Sequence, residues 1–215
     1  MSGIKPTRYT PIRMKTPKVR CTKSLLDSWL WSYKRDSGWE DFIKTLNREP
    51  LQPTQAMLDG TRFENVLNNT LDGVQITSDH EWFKVITEMS RELQGAQQQV
   101  NIFADTGIEY GGYKILLHGV LDYLLAGHIY DCKFTKNYHL NKYFWEDTTQ
   151  TALYLALVPE AMDFTYIISD GKYVYRERYP REIVPPIENT VIQFCKFLEK
   201  QNLINTFFEK WRINS

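Results

Sequence analysis

Cysteine is scarce in this 215-residue chain, and the three present, Cys21, Cys132 and Cys195, form no C-x-x-C pair. That excludes a disulfide framework and a zinc ribbon, and a reducing compartment follows as the default. Long apolar runs are missing too. None approaches the roughly 20 residues a membrane span needs, and the start lacks an apolar signal-peptide core. The expectation is a cytoplasmic protein (in the host cytoplasm, for a viral one) with no membrane partner. Formal net charge is zero, so overall charge selects no polyanionic ligand. There is no Gly-x-x-x-x-Gly-Lys-Ser/Thr loop, no Gly-x-Ser-x-Gly elbow and no His-Glu-x-x-His, which argues against a nucleotide-driven motor, a serine hydrolase and a zinc protease. His80, His118, His128 and His139 are scattered without the four-residue spacing of a helical metal pair.

What is present is unevenly placed. Lys5, Arg8, Arg13, Lys15, Lys18, Arg20 and Lys23 give residues 1–23 seven positive charges and no acid, leaving −7 on the remainder. With Pro6, Pro11 and Pro17 among them, residues 1–22 read as an extended or mobile basic arm, able to track phosphates. At 42% apolar content, residues 23–215 can bury a full core as a single domain.

The chain is organised around residues 119–154. Lys114–Leu125 and His128–Thr135 are strand-like, with Ala126-Gly127 between them as turn chemistry. A symmetric turn makes partner positions sum to 253 and sets Asp122 opposite Asp131. Cross-strand Cβ atoms are then roughly 4.5–5.5 Å apart, and like charges there destabilise a sheet. A divalent cation with carboxylate ligands would offset the repulsion; a simple salt bridge to Lys133 would leave one carboxylate unexplained. Alternation puts Val120, Asp122 and Leu124 on one face with Ile129, Asp131 and Lys133, and Leu121, Tyr123, Tyr130, Cys132 and Phe134 on the other.

Four pieces stand in order: Gly60-x-x-Phe-Glu64, Gly119-x-x-Asp122, Asp131-x-Lys133 and Gln150-x-x-x-Tyr154. Together they resemble the PD-(D/E)XK nuclease superfamily, in particular its RecB-like exonuclease branch, which includes phage exonucleases and CRISPR adaptation nucleases. The resemblance implies a restriction-endonuclease-like core and a metal-dependent deoxyribonuclease, most readily an exonuclease acting on DNA ends. Asp122, Asp131 and the Cys132 backbone carbonyl would bind one or two Mg²⁺ or Mn²⁺ ions, with Glu64 completing the shell directly or through a water. Lys133 would orient the attacking water or stabilise charge on the phosphate. Gln150 would position these groups or contact DNA, and Tyr154 would buttress the site or touch the DNA backbone. Relatives with an iron–sulfur cluster hold it with four cysteines, so none is expected here, and no nucleotide cofactor either. DNA is the implied partner, alongside a recombination or helicase protein; some relatives form rings, and the oligomeric state stays open. Two other readings remain, a catalytically silent nuclease-fold binding or scaffold module and a structure- or sequence-specific endonuclease.

Around these motifs the pattern predicts helices at Leu25–Tyr33 (capped by Ser24), Trp39–Leu46, Pro53–Thr70 and Glu81–Leu93, then a strand at Val100–Ala104. After the central hairpin come a helix at Phe144–Leu157, a hairpin about Asp170-Gly171 and a last helix from Pro185-Pro186 to Trp211. This order indicates an α/β or α+β fold, a mixed sheet flanked by helices.

Overall fold

The computed structural model describes residues 16–34, 36–144 and 148–213. A six-stranded mixed sheet lies at its centre. The strands are β1 (Lys18–Thr22), β2 (Gln97–Tyr110), β3 (Tyr113–Leu125), β4 (His128–Phe134), β5 (Asp163–Ser169) and β6 (Val174–Pro180). Their order is β1-β3-β4-β5-β6, with β2 also paired to β3. The β1–β3 and β4–β5 pairs are parallel and the others antiparallel. Among the described residues no helix is long and apolar enough to cross a membrane.

Four helices precede β2: α1 (Lys23–Trp31), α2 (Gly38–Leu46), α3 (Gln55–Leu71) and α4 (Phe83–Glu92). α5 (Gln150–Leu157) links β4 to β5, and α6 (Glu188–Lys200) and α7 (Ile204–Lys210) close the chain. α5 and α6 cover one side of the sheet in a large core that holds Leu117, Leu121, Ile129, Leu153 and Phe194. α3 and α4 cover part of the other side, burying Phe63, Trp82 and Met89 with Tyr123, Cys132 and Ile167. Burial from both sides leaves β5 buried at every position, whereas β1 and β2 alternate in burial.

Several sequence expectations shift. Residues 1–15 of the expected arm lie outside the described residues, but Lys18–Thr22 are a strand instead of a mobile segment. Val19 and Cys21 alternate into the core at no exposure, and the C-terminal segment braces them, Arg20 N–H donating to the Trp211 carbonyl at 2.9 Å. Thr22, not Ser24, caps α1. β2 is much longer than Val100–Ala104, because Gly107 sits in an irregularity within it and Gly111-Gly112 alone form the turn. The final helix breaks in two at Asn202, whose φ of 56° is the left-handed cap conformation that Asn tolerates. Helical spacing predicts a buried stripe of Ala56, Met57, Gly60, Phe63, Leu67 and Leu71 along α3; Phe63 and Leu67 are buried, whereas Ala56 and Met57, in its first turn, are exposed. α5 begins at Gln150; residues 145–147 of the longer helix expected there lie outside the described residues.

Candidate active site

The hairpin register is the expected one at its turn end. Leu125 pairs with His128, Leu124 with Ile129 and Tyr123 with Tyr130. Pairing then stops, one step before Asp122 would face Asp131. Asp122 is also skipped on its other edge, where Gln99 adopts a φ of 50° between paired Gln98–Tyr123 and Val100–Leu121. The strict alternation read from sequence fails here. Gly119 and Leu121 face the α5 side and Tyr123 faces α3, yet Leu124 is back with Ile129 on the α5 side. A local break in both ladders therefore turns Asp122 into the split that opens between β3 and β4.

There Asp122 Oδ2 accepts the Cys132 N–H at 3.3 Å. In a strand, one residue's N–H and C=O point to the same edge, so the Cys132 carbonyl opens into the same split while its side chain is buried against α3. Asp131 is 1% exposed. Its Oδ1 accepts from Gln150 Nε2, and its Oδ2 lies 2.5 Å from Lys133 Nζ without an aligned hydrogen-bond donor. Lys133 in turn sits over the Tyr166 ring, 6.0 Å from its centroid, and keeps 29% of its side chain open to solvent.

The electrostatics follow from this crowding. Burial, then the neighbouring Asp131 charge, push the Asp122 carboxyl up to about 8; Lys133 opposes the shift and Glu64 adds to it. Burial pulls the Lys133 ammonium down, but Asp131 and Asp122 overcome it and hold the group above its ordinary value. The metal-free site thus holds two carboxylates that do not tolerate full ionisation together.

Glu64 stands off from the pair. It accepts from Gln99 Nε2 at 3.1 Å, and α3 is fixed by Tyr123 Oη donating to Asn68 Oδ1 at 2.5 Å. Among the described residues no three His, Cys, Asp or Glu side chains converge as a metal-ligand set. Two aspartates and a main-chain oxygen do meet, and they are the hard oxygen donors that Mg²⁺ and Mn²⁺ take. Asp131 Oδ2 already has the Lys133 ammonium 2.5 Å away, so what favours a cation is the pair of buried carboxylates, of which Asp122 is held protonated up to about 8.

Tyr154 lies behind the site. Its ring packs on Gly119, where an added Cβ would be 2.8 Å from Cε1, and its hydroxyl donates to the Val120 carbonyl at 2.9 Å. Burial, then the aspartate charges, raise its pKa and keep the donor protonated. The pattern of the helix puts Thr149, Ala152, Leu153 and Ala156 inward and Gln150 with Tyr154 on another side; Thr149 and Leu153 are buried as expected, but so are Gln150 and Tyr154, while Ala152 and Ala156 are half-buried. α5 is apolar almost all round, so its periodicity carried little orientation.

Two residues escaped the sequence reading. Asp27, on α1, accepts from Thr149 N–H at 2.7 Å, Thr149 Oγ1 at 2.8 Å and Thr148 Oγ1 at 3.0 Å, pinning the start of α5 and hence Gln150. Glu177, on β6, accepts from the N–H groups of Lys142 and Tyr143 and from the Tyr138 and Tyr179 hydroxyls. It anchors the segment that leads from β4 past Lys133. No local motif announces either one, since apart from Lys23, 3.4 Å from Asp27, and Tyr179, beside Glu177, their partners are far away in sequence.

No protein-family model matches the chain, and no curated protein matches it significantly. Among solved structures, the crystal structure of SSO0001 superposes with a TM-score of 0.52 at 12% identity, over 89% of this chain and 79% of that one. The crystal structure of LHK-Exo in complex with dAMP gives 0.44 at 17% identity, over 90% and 92%. The first likeness shows a shared fold. The mixed sheet flanked by helices is the restriction-endonuclease-like core expected from the sequence.

Proposed function

We propose that this chain is a divalent-metal-dependent deoxyribonuclease that hydrolyses phosphodiester bonds at DNA ends. The observation that carries the reading is the meeting of Asp122, Asp131 and Lys133 where β3 and β4 part. Opening a phosphodiester needs a nucleophilic water, neutralisation of the phosphate and stabilisation of the leaving oxygen. A bound Mg²⁺ or Mn²⁺ supplies charge at the phosphate and lowers the pKa of its water.

The residues of the chain do the rest. Asp122, Asp131 and the Cys132 carbonyl would hold the cation, with Glu64 completing the shell directly or through a water. Gln150 holds Asp131 Oδ1, and Oδ2, now 2.5 Å from the Lys133 ammonium, would be shared between that ammonium and the cation. Lys133 donates to the attacking water or to a phosphoryl oxygen. Tyr154 keeps α5 seated on β3. Attack on ends, as opposed to internal bonds, rests on the resemblance of the Gln150–Tyr154 arrangement to the RecB-like branch.

Incubation with end-labelled linear single- and double-stranded DNA, and with closed circles, tests the proposal in Mg²⁺ or Mn²⁺. Linear DNA is shortened progressively, circles survive, and Asp131→Ala and Lys133→Ala each slow the reaction by about 100-fold or more. Near wild-type rates in both variants contradict it. Degradation of circles keeps the nuclease and overturns the preference for ends.

A further inference from the structure

Beyond the carboxylates, the β1-β3-β2 part of the sheet has one face that no helix covers among the described residues. Thr22 pairs with His118 and His118 with Phe103, while Val120 pairs with Asn101 and Leu116 with Arg20 and Asp105. The opposite face, with Val19, Cys21, Ile115 and Leu117, is in the core. On the open face Phe103 is 48% and Val120 36% exposed. The Phe103 and His118 rings stack at 4.1 Å and 18°, and His118 Nε2 lies 3.0 Å from Asn101 Oδ1.

One end of this face reaches Gln99 and Asp122. The other opens into a cavity of about 460 Å³ lined by Arg20, Thr22, Thr45, Arg48, His118 and Trp211. The Arg20 and Arg48 guanidinium groups each lie 5.6 Å from the Trp211 ring centroid. Glu49 also lines the cavity, but among the described residues no carboxylate pairs with either arginine; Arg48 donates to the Lys210 carbonyl at 3.5 Å, and Asp105, in the same row as Arg20 but across β3, is taken by Lys114 at 2.5 Å. Two arginines lining one cavity against the same indole ring, without a counter-ion, call for an anion, and a stacked aromatic pair beside them calls for a planar ring. Successive rows of the face are about 6.7 Å apart, the reach of one extended nucleotide. Residues 1–15 carry Lys5, Arg8, Arg13 and Lys15 and no acid, the wrong sign to cover the arginines.

We propose that this face is a track for unpaired DNA, one base stacking on Phe103 and His118 and one backbone phosphate held by Arg20 and Arg48, which leads the strand to Asp122. The direction of travel rests on the nuclease reading; the binding does not. The test is fluorescence anisotropy of a labelled 12-nucleotide oligo(dT) in EDTA over a range of salt, so that nothing is cleaved.

Phe103→Ala weakens binding roughly 5- to 100-fold without changing the salt slope, and Phe103→Trp restores it. The Arg20→Gln/Arg48→Gln double variant weakens binding and lowers the slope by about 0.7, the loss of one phosphate contact. Affinity within twofold of wild type in both Phe103→Ala and the double variant, with melting temperatures unchanged, overturns the track. So does a blunt duplex that binds as tightly and suffers the same losses. Normal oligo(dT) binding by a chain that cleaves nothing would fault the nuclease reading and leave the track standing.

Discussion

Asp122 is the residue on which strain and chemistry meet. In the unfolded chain its carboxyl titrates near the ordinary 3.8; in the fold it is pushed up to about 8. As pH rises from about 4 to 8 the unfolded chain gives up this proton first, so the metal-free fold loses stability across that window. Asp122→Asn, which can still accept the Cys132 N–H, therefore raises the melting temperature in EDTA at pH 8 by a few degrees, about 1–2 kcal/mol. The gain disappears near pH 4, and differential scanning calorimetry at the two pH values checks it. A second residue-scale prediction concerns Gly119. An added methyl would sit 2.7 Å from Leu157 Cδ1 and 2.8 Å from the Tyr154 ring. The leucine can turn away, but the ring is tied down by its bond to Val120. Gly119→Ala costs about 1–3 kcal/mol in a urea melt. At this scale the sequence was informative: turn chemistry alone set the register that brings Asp122 towards Asp131. The ladder break at Gln99 was not legible, because a positive φ at a glutamine leaves no compositional trace.

Among the elements, α5 depends most on distant support. Eight residues are too few for a helix to stand alone in water, and its N-terminus is capped by Asp27 from α1. Asp27→Ala removes the acceptor of three donors, the Thr149 N–H and the Thr148 and Thr149 hydroxyls, and should cost about 1–2 kcal/mol, as lost caps do. It also loosens Gln150 and with it Asp131, so end-labelled DNA is degraded more slowly, while Asp27→Asn keeps most of the rate. Equal rates for Asp27→Ala and wild type would mean that Gln150 does not need this cap. The same logic explains which elements could be read. The β5–β6 hairpin about Asp170-Gly171 and α2 carry local punctuation and were read almost to the residue. The strand status of Lys18–Thr22 depends on β3 and Trp211, roughly 100 and 190 residues away, and a run of basic residues with prolines hid it.

At the scale of the molecule, helices cover one side of the sheet and part of the other, and among the described residues two openings matter: the split between β3 and β4, and the bare face of β1-β3-β2. Glu64 shows why the site was only partly legible. Its helix was plain from the pattern, yet its distance from the aspartates depends on how α3 docks through Phe63, Asn68 and Tyr123. The central claim, that Asp122 and Asp131 share a divalent cation, is tested most directly by the melting temperature with and without Mn²⁺. At a concentration 100 times the dissociation constant, binding to the native state adds about 2.7 kcal/mol, a rise of roughly 5–10 °C for a chain of this size. The account predicts that rise in the wild-type protein and its loss in Asp131→Asn. An unchanged melting temperature in the wild type, or an equal rise in the variant, would contradict it.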